Sequence, residues 1–402
     1  MSLEKPDTNN EHLTPEASEQ PAGIYVHIPF CETKCPYCSF VSYPGLKSSF
    51  KNSYLKAVTK QAREMSAHPW VRKRKFRSLF VGGGTPSSVD PGRMTTLIAA
   101  CLHGFDFMQR ENRAPEVTVE ANPNTVNPEL LKRLRETGVN RLSIGMQTFS
   151  DTMLKNIGRT HTAQDNVQAF EWARSAGFAN INLDLMFGLP GQNEAIWEKS
   201  LHQAAALKPE HLSVYELTVE QGTPFAELAS KGRLKLPPEN VILAMFAQAR
   251  EILAANGYNH YEISNYRRRG FECSHNLNYW ENGSYVGLGA GAVSCFSGLR
   301  IKNEESPDRF IQLLNNNQAP YAEAEFLPLE ARFRETVIMG LRMTAGVSIK
   351  SLKDRFRLTP QQYYGEMIGK LRSDKLLEET DSRLRLTRRG LLLANRVMEH
   401  LV

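Results

Sequence analysis

The stretch Ile24 to Phe40, IYVHIPFCETKCPYCSF, decides how the rest of the sequence is read. It opens as a strand and breaks at Pro29. Three thiols follow, Cys31, Cys35 and Cys38, in C-x3-C-x2-C spacing. A closed structural zinc site takes four N/S ligands, and no second C-x2-C pair follows downstream. A disulfide framework needs an even partner count and an oxidising compartment. Three thiolates on a [4Fe–4S] cubane leave one iron without a protein ligand, whereas an electron-transfer cluster uses four. The spacing therefore predicts an iron–sulfur cluster with one open iron, held by Cys31, Cys35 and Cys38. Zinc completed by a distant fourth ligand is the competing reading.

At 402 residues the chain is long enough for two or three domains. Hydrophobic residues make up 41% and charged residues 23%, the balance of an ordinary globular protein. Six cysteines, three of them in one loop, point to cytosolic metal chemistry and a cytoplasmic location. No apolar run approaches the ~18 residues of a membrane span. The first 22 residues, MSLEKPDTNNEHLTPEASEQPA, lack the apolar middle of a secretory signal. They are also too acidic for a transit peptide, and 1–22 reads as a disordered leader. The net charge of +6 is mild. Its densest cluster, VRKRKFR at 71–77, reads as a solvated helix end rather than a nucleic-acid patch. Arg267, Arg268 and Arg269 form a second cluster, and Arg388 and Arg389 a third.

Outward from the cysteine loop, six apolar or β-branched runs recur: IYVHI (24–28), SLFVGGG (78–84), VTVEAN (117–122), RLSIGMQ (141–147), NINLDLMFG (180–188) and HLSVYEL (211–217). Segments of helical period fill the gaps. PELLKRLRETG has Asn127 placed to cap, Leu130, Leu131 and Leu134 on one face, and Gly138 to stop it. Such alternation predicts parallel βα units with right-handed crossovers. Unusual residues gather at the C-terminal ends of the runs: the cysteines, Gly82 to Pro86, Glu120, Gln147, Asp184 and Glu216. A barrel collects chemistry there from many strands, whereas an open doubly wound sheet concentrates it at one switch point. The expected fold is therefore α/β, a six-stranded partial (βα)6 barrel over 23–235.

After Gly222 the pattern changes. LPPENVILAMFAQAREILAANGY reads as a long helix, and 261–296 as short strands and turns rich in Gly, Asn and aromatics. From 326 to 402 the order helix, helix, helix, hairpin, helix predicts an α-rich, winged-helix-like domain. Residues 236–325 are then a connecting region.

The cysteine loop and the GGG run after the next strand resemble those of the radical S-adenosylmethionine (SAM) superfamily, which implies the same partial barrel. YVHIPFC, CPYC, GGGTP, VEANP, SIGMQTF, IGRTH, NLDLMFGLPGQ, HLSVYELTVEQGTP and YEISN…ECSHNLNYW together resemble the HemW family of heme chaperones, which is close to the oxygen-independent coproporphyrinogen III oxidases. The resemblance runs from about residue 23 to the C-terminus. It implies a [4Fe–4S] cluster, SAM and heme as cofactors, and transfer of heme to respiratory hemoproteins. Peripheral contact with membrane-bound partners would follow from that. By the same resemblance Tyr25, Tyr37, Gly83, Gly84, Thr85, Glu120, Gln147, Arg159 and Asp184 surround SAM. Each of the polar ones is, taken singly, as well read as a satisfied structural group; recurrence at successive strand ends favours a ligand site.

The related oxidases carry a further cysteine two positions after the third ligand, where this chain has Phe40, and an N-terminal arm that the short polar leader does not match. The chaperones carry H-N-x-x-Y, present here from His275 to Tyr279. Histidine is a competent heme ligand, so His275 is the expected heme residue, with Arg267 to Arg269 available to propionates. Oxidase chemistry is the alternative function. A cluster-sensing regulator built on the C-terminal segment is a weaker alternative, because PQQYYGEMIGKLRSDK is not basic on one face; no nucleic-acid partner is expected. Cys101, Cys273 and Cys295 read as buried free thiols.

Overall fold

The computed structural model describes residues 20–108 and 114–402. Most of the expected leader, 1–19, lies outside the described residues; β1 already begins at Ala22, which is fully buried. All six expected runs are strands: β1 (Ala22–Ile28), β2 (Lys75–Gly83), β3 (Glu116–Ala121), β4 (Arg141–Gln147), β5 (Ile181–Phe187) and β6 (His211–Glu216). Each pairs in parallel with its predecessor. From β1 to β6 the sheet therefore winds in one direction, with no reversal among these six strands at which an open sheet would place its site.

The crossovers are α1 (Ser48–Ala67), α2 (Pro91–Gly104), α3 (Pro128–Thr137), α4 (Asp151–Asn156), α5 (Ala163–Ser175) and α6 (Glu194–Ala206). Asn127 caps α3 by accepting from Leu130 N, and Leu130, Leu131 and Leu134 are buried. Each buried leucine contributes about 1.5–3 kcal/mol. Helix α5 starts at Ala163, where Thr162 and Asp165 form a reciprocal capping box. The basic run 71–77 is not a helix end: α1 stops at Ala67, and Lys75 to Arg77 already belong to β2. Arg77 pairs with Glu281 at 2.8 Å, and Arg74 lies over the Phe296 ring.

The chain continues through α7 (Pro224–Ser230) and the expected long helix α8 (Glu239–Ala255). A hairpin, β7 (Asn259–Glu262) and β8 (Asn265–Arg267), extends the sheet beyond β6. Helix α9 (Ser274–Trp280) follows, and then β9 (Tyr285–Leu288) pairs in parallel with β1. The parallel run thus has seven strands rather than six. Antiparallel β10 (Val293–Phe296), β11 (Leu299–Asn303) and β12 (Tyr321–Phe326) complete the sheet, with α10 (Pro307–Asn315) between the last two. Residues 236–325 therefore belong to the main sheet and its core, through Met245, Ala249, Val286 and Leu288.

A second core forms around Phe333, Val337, Leu352 and Leu384. It is built from α11 (Leu329–Leu341), β13 (Val347–Ser348), α12 (Ile349–Phe356), α13 (Pro360–Tyr364), α14 (Glu366–Ser373), the hairpin β14 (Leu377–Glu379) and β15 (Arg383–Leu386), α15 (Arg388–Leu392) and α16 (Ala394–Glu399). The order of helices and hairpin follows the expected one, with the addition of β13, which pairs with β15. Two expected helices are each split, one at Gly365 and one at Leu393.

Candidate functional site

The C-terminal ends of the barrel strands and the cysteine loop enclose a cavity of about 450 Å³, within the range of small-molecule pockets. Eleven expected residues line it: Cys31, Cys35, Cys38, Tyr37, Gly83, Gly84, Thr85, Glu120, Gln147, Arg159 and Asp184.

The loop is held against β2 by backbone. Gly84 N donates to Ile28 O at 2.8 Å and Thr85 N to Phe30 O at 2.6 Å. The approach needs glycine: a Cβ on Gly84 would lie 2.5 Å from Phe30 O, and Gly83 sits at φ +114°. Thr85 Oγ1 donates to Cys31 Sγ at 3.6 Å. From the other side Phe225 N of α7 donates to Pro36 O at 3.0 Å. The three thiols are only partly buried. Among the described residues no three His, Cys, Asp or Glu side chains gather closely enough to grip one ion. All three thiols line the cavity mouth, where three thiolates would leave one iron of a cubane without a protein ligand.

Polar side chains enter from successive strands. Gln147 holds φ +66° where the β4–β5 register slips, and this turns the end of β4 inward. Arg159 is half-buried; Nη1 donates to Asn122 Oδ1 and Nη2 to the Tyr37 hydroxyl, both at 3.0 Å. Glu120 Oε2 accepts from Gly83 N at 3.0 Å. Its carboxyl is reached only through the cavity, and burial, reinforced by Asp184, pushes it up to about 8. Asp184 Oδ1 accepts from Asn182 Nδ2 at 2.7 Å. Burial also raises Asp184, against hydrogen bonds from Asn182 and Ser213. Asn182 leads on to His211 Nδ1 at 2.6 Å, and His211 Nε2 to the Tyr261 hydroxyl at 2.8 Å.

Two expected residues, Tyr25 and His275, are not in the cavity wall. The Tyr25 hydroxyl bonds His27 Nδ1 at 2.9 Å. The His275 ring is 2% exposed, lies 4.9 Å from the Phe80 ring in a stacked arrangement, and bonds Ser78 Oγ through Nδ1 at 3.0 Å. Burial brings it down to about 3, so the ring is neutral. Helix α9 carries His275, the expected heme residue, into the barrel floor, where the ring is buried. Of the arginine cluster, Arg267 pairs with Glu272 at 2.7 Å and Arg268 donates to Pro209 O. Cys101, Cys273 and Cys295 are buried, as expected.

Residues not singled out from sequence also reach the cavity, among them Phe80, Arg141, Ser143, Asn182 and Tyr215, together with Asn276 of the H-N-x-x-Y motif. Along RLSIGMQ every second residue, Arg141, Ser143, Gly145 and Gln147, is polar or small. That two-residue alternation was the available sign of a lumen-facing set.

A family profile described as the radical SAM superfamily matches residues 25–204, and one described as the HemN C-terminal domain matches residues 327–393. Heme chaperone HemW of Bacillus subtilis (strain 168) is 38% identical over 375 residues, covering 93% of this chain and 97% of that protein. The chain belongs to the HemW family. Heme chaperone HemW of Escherichia coli (strain K12) is 39% identical over 299 residues, covering 73% of this chain and 76% of that protein. In fold, this HemW-family chain matches the solved structure of coproporphyrinogen III oxidase (HemN) from Escherichia coli. The TM-score is 0.81 at 22% identity, covering 95% of this chain and 90% of that one. The radical SAM domain implies a [4Fe–4S] cluster and S-adenosylmethionine, and the partly exposed thiols and enclosed polar cavity fit both. No helix among the described residues is long and apolar enough to cross a membrane.

Proposed function

We propose that the protein is a heme chaperone that carries a [4Fe–4S] cluster on Cys31, Cys35 and Cys38, binds S-adenosylmethionine in the barrel cavity, and passes heme to respiratory hemoproteins. The observation that carries the reading is the ring of three thiols over a cavity built from successive strand ends, in a chain whose curated relatives are named Heme chaperone HemW. When bound, the cluster supplies one-electron reducing chemistry beside the sulfonium.

The chain's own residues do the positioning. Gly83 and Gly84 offer backbone edges at the mouth, and the Thr85 hydroxyl orients the Cys31 thiol. Burial and Asp184 hold the Glu120 carboxyl up at about 8 in the protein alone, and a sulfonium or ammonium beside it would favour the charged form. Arg159, locked between Asn122 and Tyr37, presents a fixed cation for a carboxylate. Asp184 and Gln147 supply hydrogen bonds for ribose hydroxyls. Tyr25 and His275 support the floor by packing, and heme reaches His275 only where α9 withdraws.

Heme transfer to an apo-hemoprotein is the deciding experiment, run with intact cluster and with the Cys38→Ala variant. Cluster-dependent restoration of acceptor activity supports the reading. Formation of protoporphyrinogen from coproporphyrinogen with matching decarboxylation would replace it with oxidase chemistry, for which Phe40, 67% exposed where the oxidases have a further thiol, gives no support.

A further inference from the structure

At the inner end of the cavity, far from the cysteines, stands a guanidinium with no hydrogen-bond or ion-pair partner among the described residues. Arg141 opens β4, is 2% exposed, lines the cavity, and has its Nε buried without a partner. A buried charge left in this state is costly, and a protein retains one where a counter-ion arrives. Burial works against its charge, and the nearby carboxylates of Glu116 and Asp184 favour it without pairing with it.

The nearby carboxylates are committed elsewhere. Glu116 accepts from Ser274 N and His275 N at 2.9 and 3.0 Å, holding the start of α9. Asp184 is held by Asn182 and Ser143. Neither makes an ion pair with Arg141. The guanidinium therefore presents its fork toward the lumen, where Asn276 of α9 lines the same cavity.

We propose that Arg141, with Asn276 beside it, is a carboxylate-binding subsite at the inner end of the barrel, separate from the cysteine end. Arg141 and Gln147 stand at opposite ends of β4, six residues or roughly 20 Å of strand apart, with Glu120 and Asp184 between them and within electrostatic reach of Arg141. A carboxylate chelated at the cluster and anchored by Arg159 does not reach this point. The ligand is an organic carboxylate, either a free small acid or the propionate tail of a tetrapyrrole extending through the cavity. The second source rests on the heme reading above; the first does not. The planar fork suits bidentate capture, which a lysine at the same place cannot reproduce.

The test uses full-length protein with reconstituted cluster, as wild type, Arg141→Met and Arg141→Lys. Succinate and acetate are titrated by thermal shift, with succinamide and acetamide as neutral controls. Heme and heme dimethyl ester are compared by absorbance. If the acid is free, carboxylates but not amides raise the melting temperature of wild type, and both variants weaken that binding by about tenfold or more. If the acid is a propionate, wild type prefers heme to its dimethyl ester and both variants lose the preference. Either result supports the subsite. The proposal is overturned if folded Arg141→Lys, or folded Arg141→Met, matches wild type in both arms. Heme binding by wild type with no effect of either variant overturns the subsite and leaves the chaperone reading standing. A carboxylate response in a wild type that binds no heme does the reverse.

Discussion

Replacing Gly84 by alanine tests how the cysteine loop is held. A Cβ at Gly84 would sit 2.5 Å from Phe30 O and 2.8 Å from Phe30 N, both backbone atoms of the residue before Cys31. Reaching an ordinary 3.4 Å contact requires a separation of about 0.9 Å. That separation stretches the Thr85 N to Phe30 O bond from 2.6 Å to about 3.5 Å, and the Gly84 N to Ile28 O bond from 2.8 Å to about 3.7 Å. Two hydrogen bonds at about 1 kcal/mol each, plus overpacking at 1–3 kcal/mol, give a loss of about 3–5 kcal/mol. Cys31 moves with Phe30, beyond the ~0.5 Å tolerance of a preorganised site. Gly84→Ala is expected to lose most of its iron and sulfide after anaerobic reconstitution and to melt several degrees lower. The control is Gly92→Ala in α2, where a Cβ meets only Asp90 Oδ1 at 3.4 Å; it should match wild type. Full iron and sulfide in Gly84→Ala, with an unchanged melting temperature, would refute the argument.

Glu120→Gln should flatten the pH dependence of apoprotein stability. Glu120 has a folded-state value of about 8 against 4.5, so the folded state binds the extra proton between those values and this group's contribution is lost as pH rises through them, at up to about 1.4 kcal/mol per pH unit. Urea unfolding at pH 5.5 and 8 reads it, and identical slopes in wild type and variant would contradict the assignment. Arg159→Lys cannot serve Asn122 and Tyr37 with one fork; its cluster content should persist while SAM affinity falls about tenfold or more in equilibrium dialysis. His275→Ala removes a ring packed on Phe80 and Tyr25 and should cost about 2–4 kcal/mol of stability. Its heme Soret band should stay where wild type has it; a shifted band with weaker binding would show that α9 leaves the floor and that His275 ligates heme.

The barrel strands were legible because their signals are local. The runs are largely apolar or β-branched, and the helices from α2 to α6 carry side-chain N-caps; Asn127 and Gly138 mark α3 in the sequence itself. The cavity residues were legible for the same reason, since the end of a strand is readable once the strand is. What escaped depends on distant partners. Helix α9 has no side-chain cap at Cys273; its start is satisfied by Glu116, some 160 residues earlier in the chain. β9 finds its partner in β1, across most of the sequence. His275 drew attention through its motif, but the pairing with Ser78 and the stack on Phe80 that bury it come from another strand. Arg141 was passed over because a charged residue at a strand start looks solvated until the lumen beside it is known.

The central claim is that three cysteines leave one iron of a cubane for a small-molecule ligand in the cavity. It is tested by electron paramagnetic resonance of the anaerobically reconstituted, reduced protein, with and without SAM labelled at its amino nitrogen and carboxylate. The account predicts about four iron and four sulfide per chain, a spectrum that changes on adding SAM, and hyperfine coupling from the labelled atoms. Zinc in place of iron, or a cluster spectrum indifferent to SAM, would contradict it.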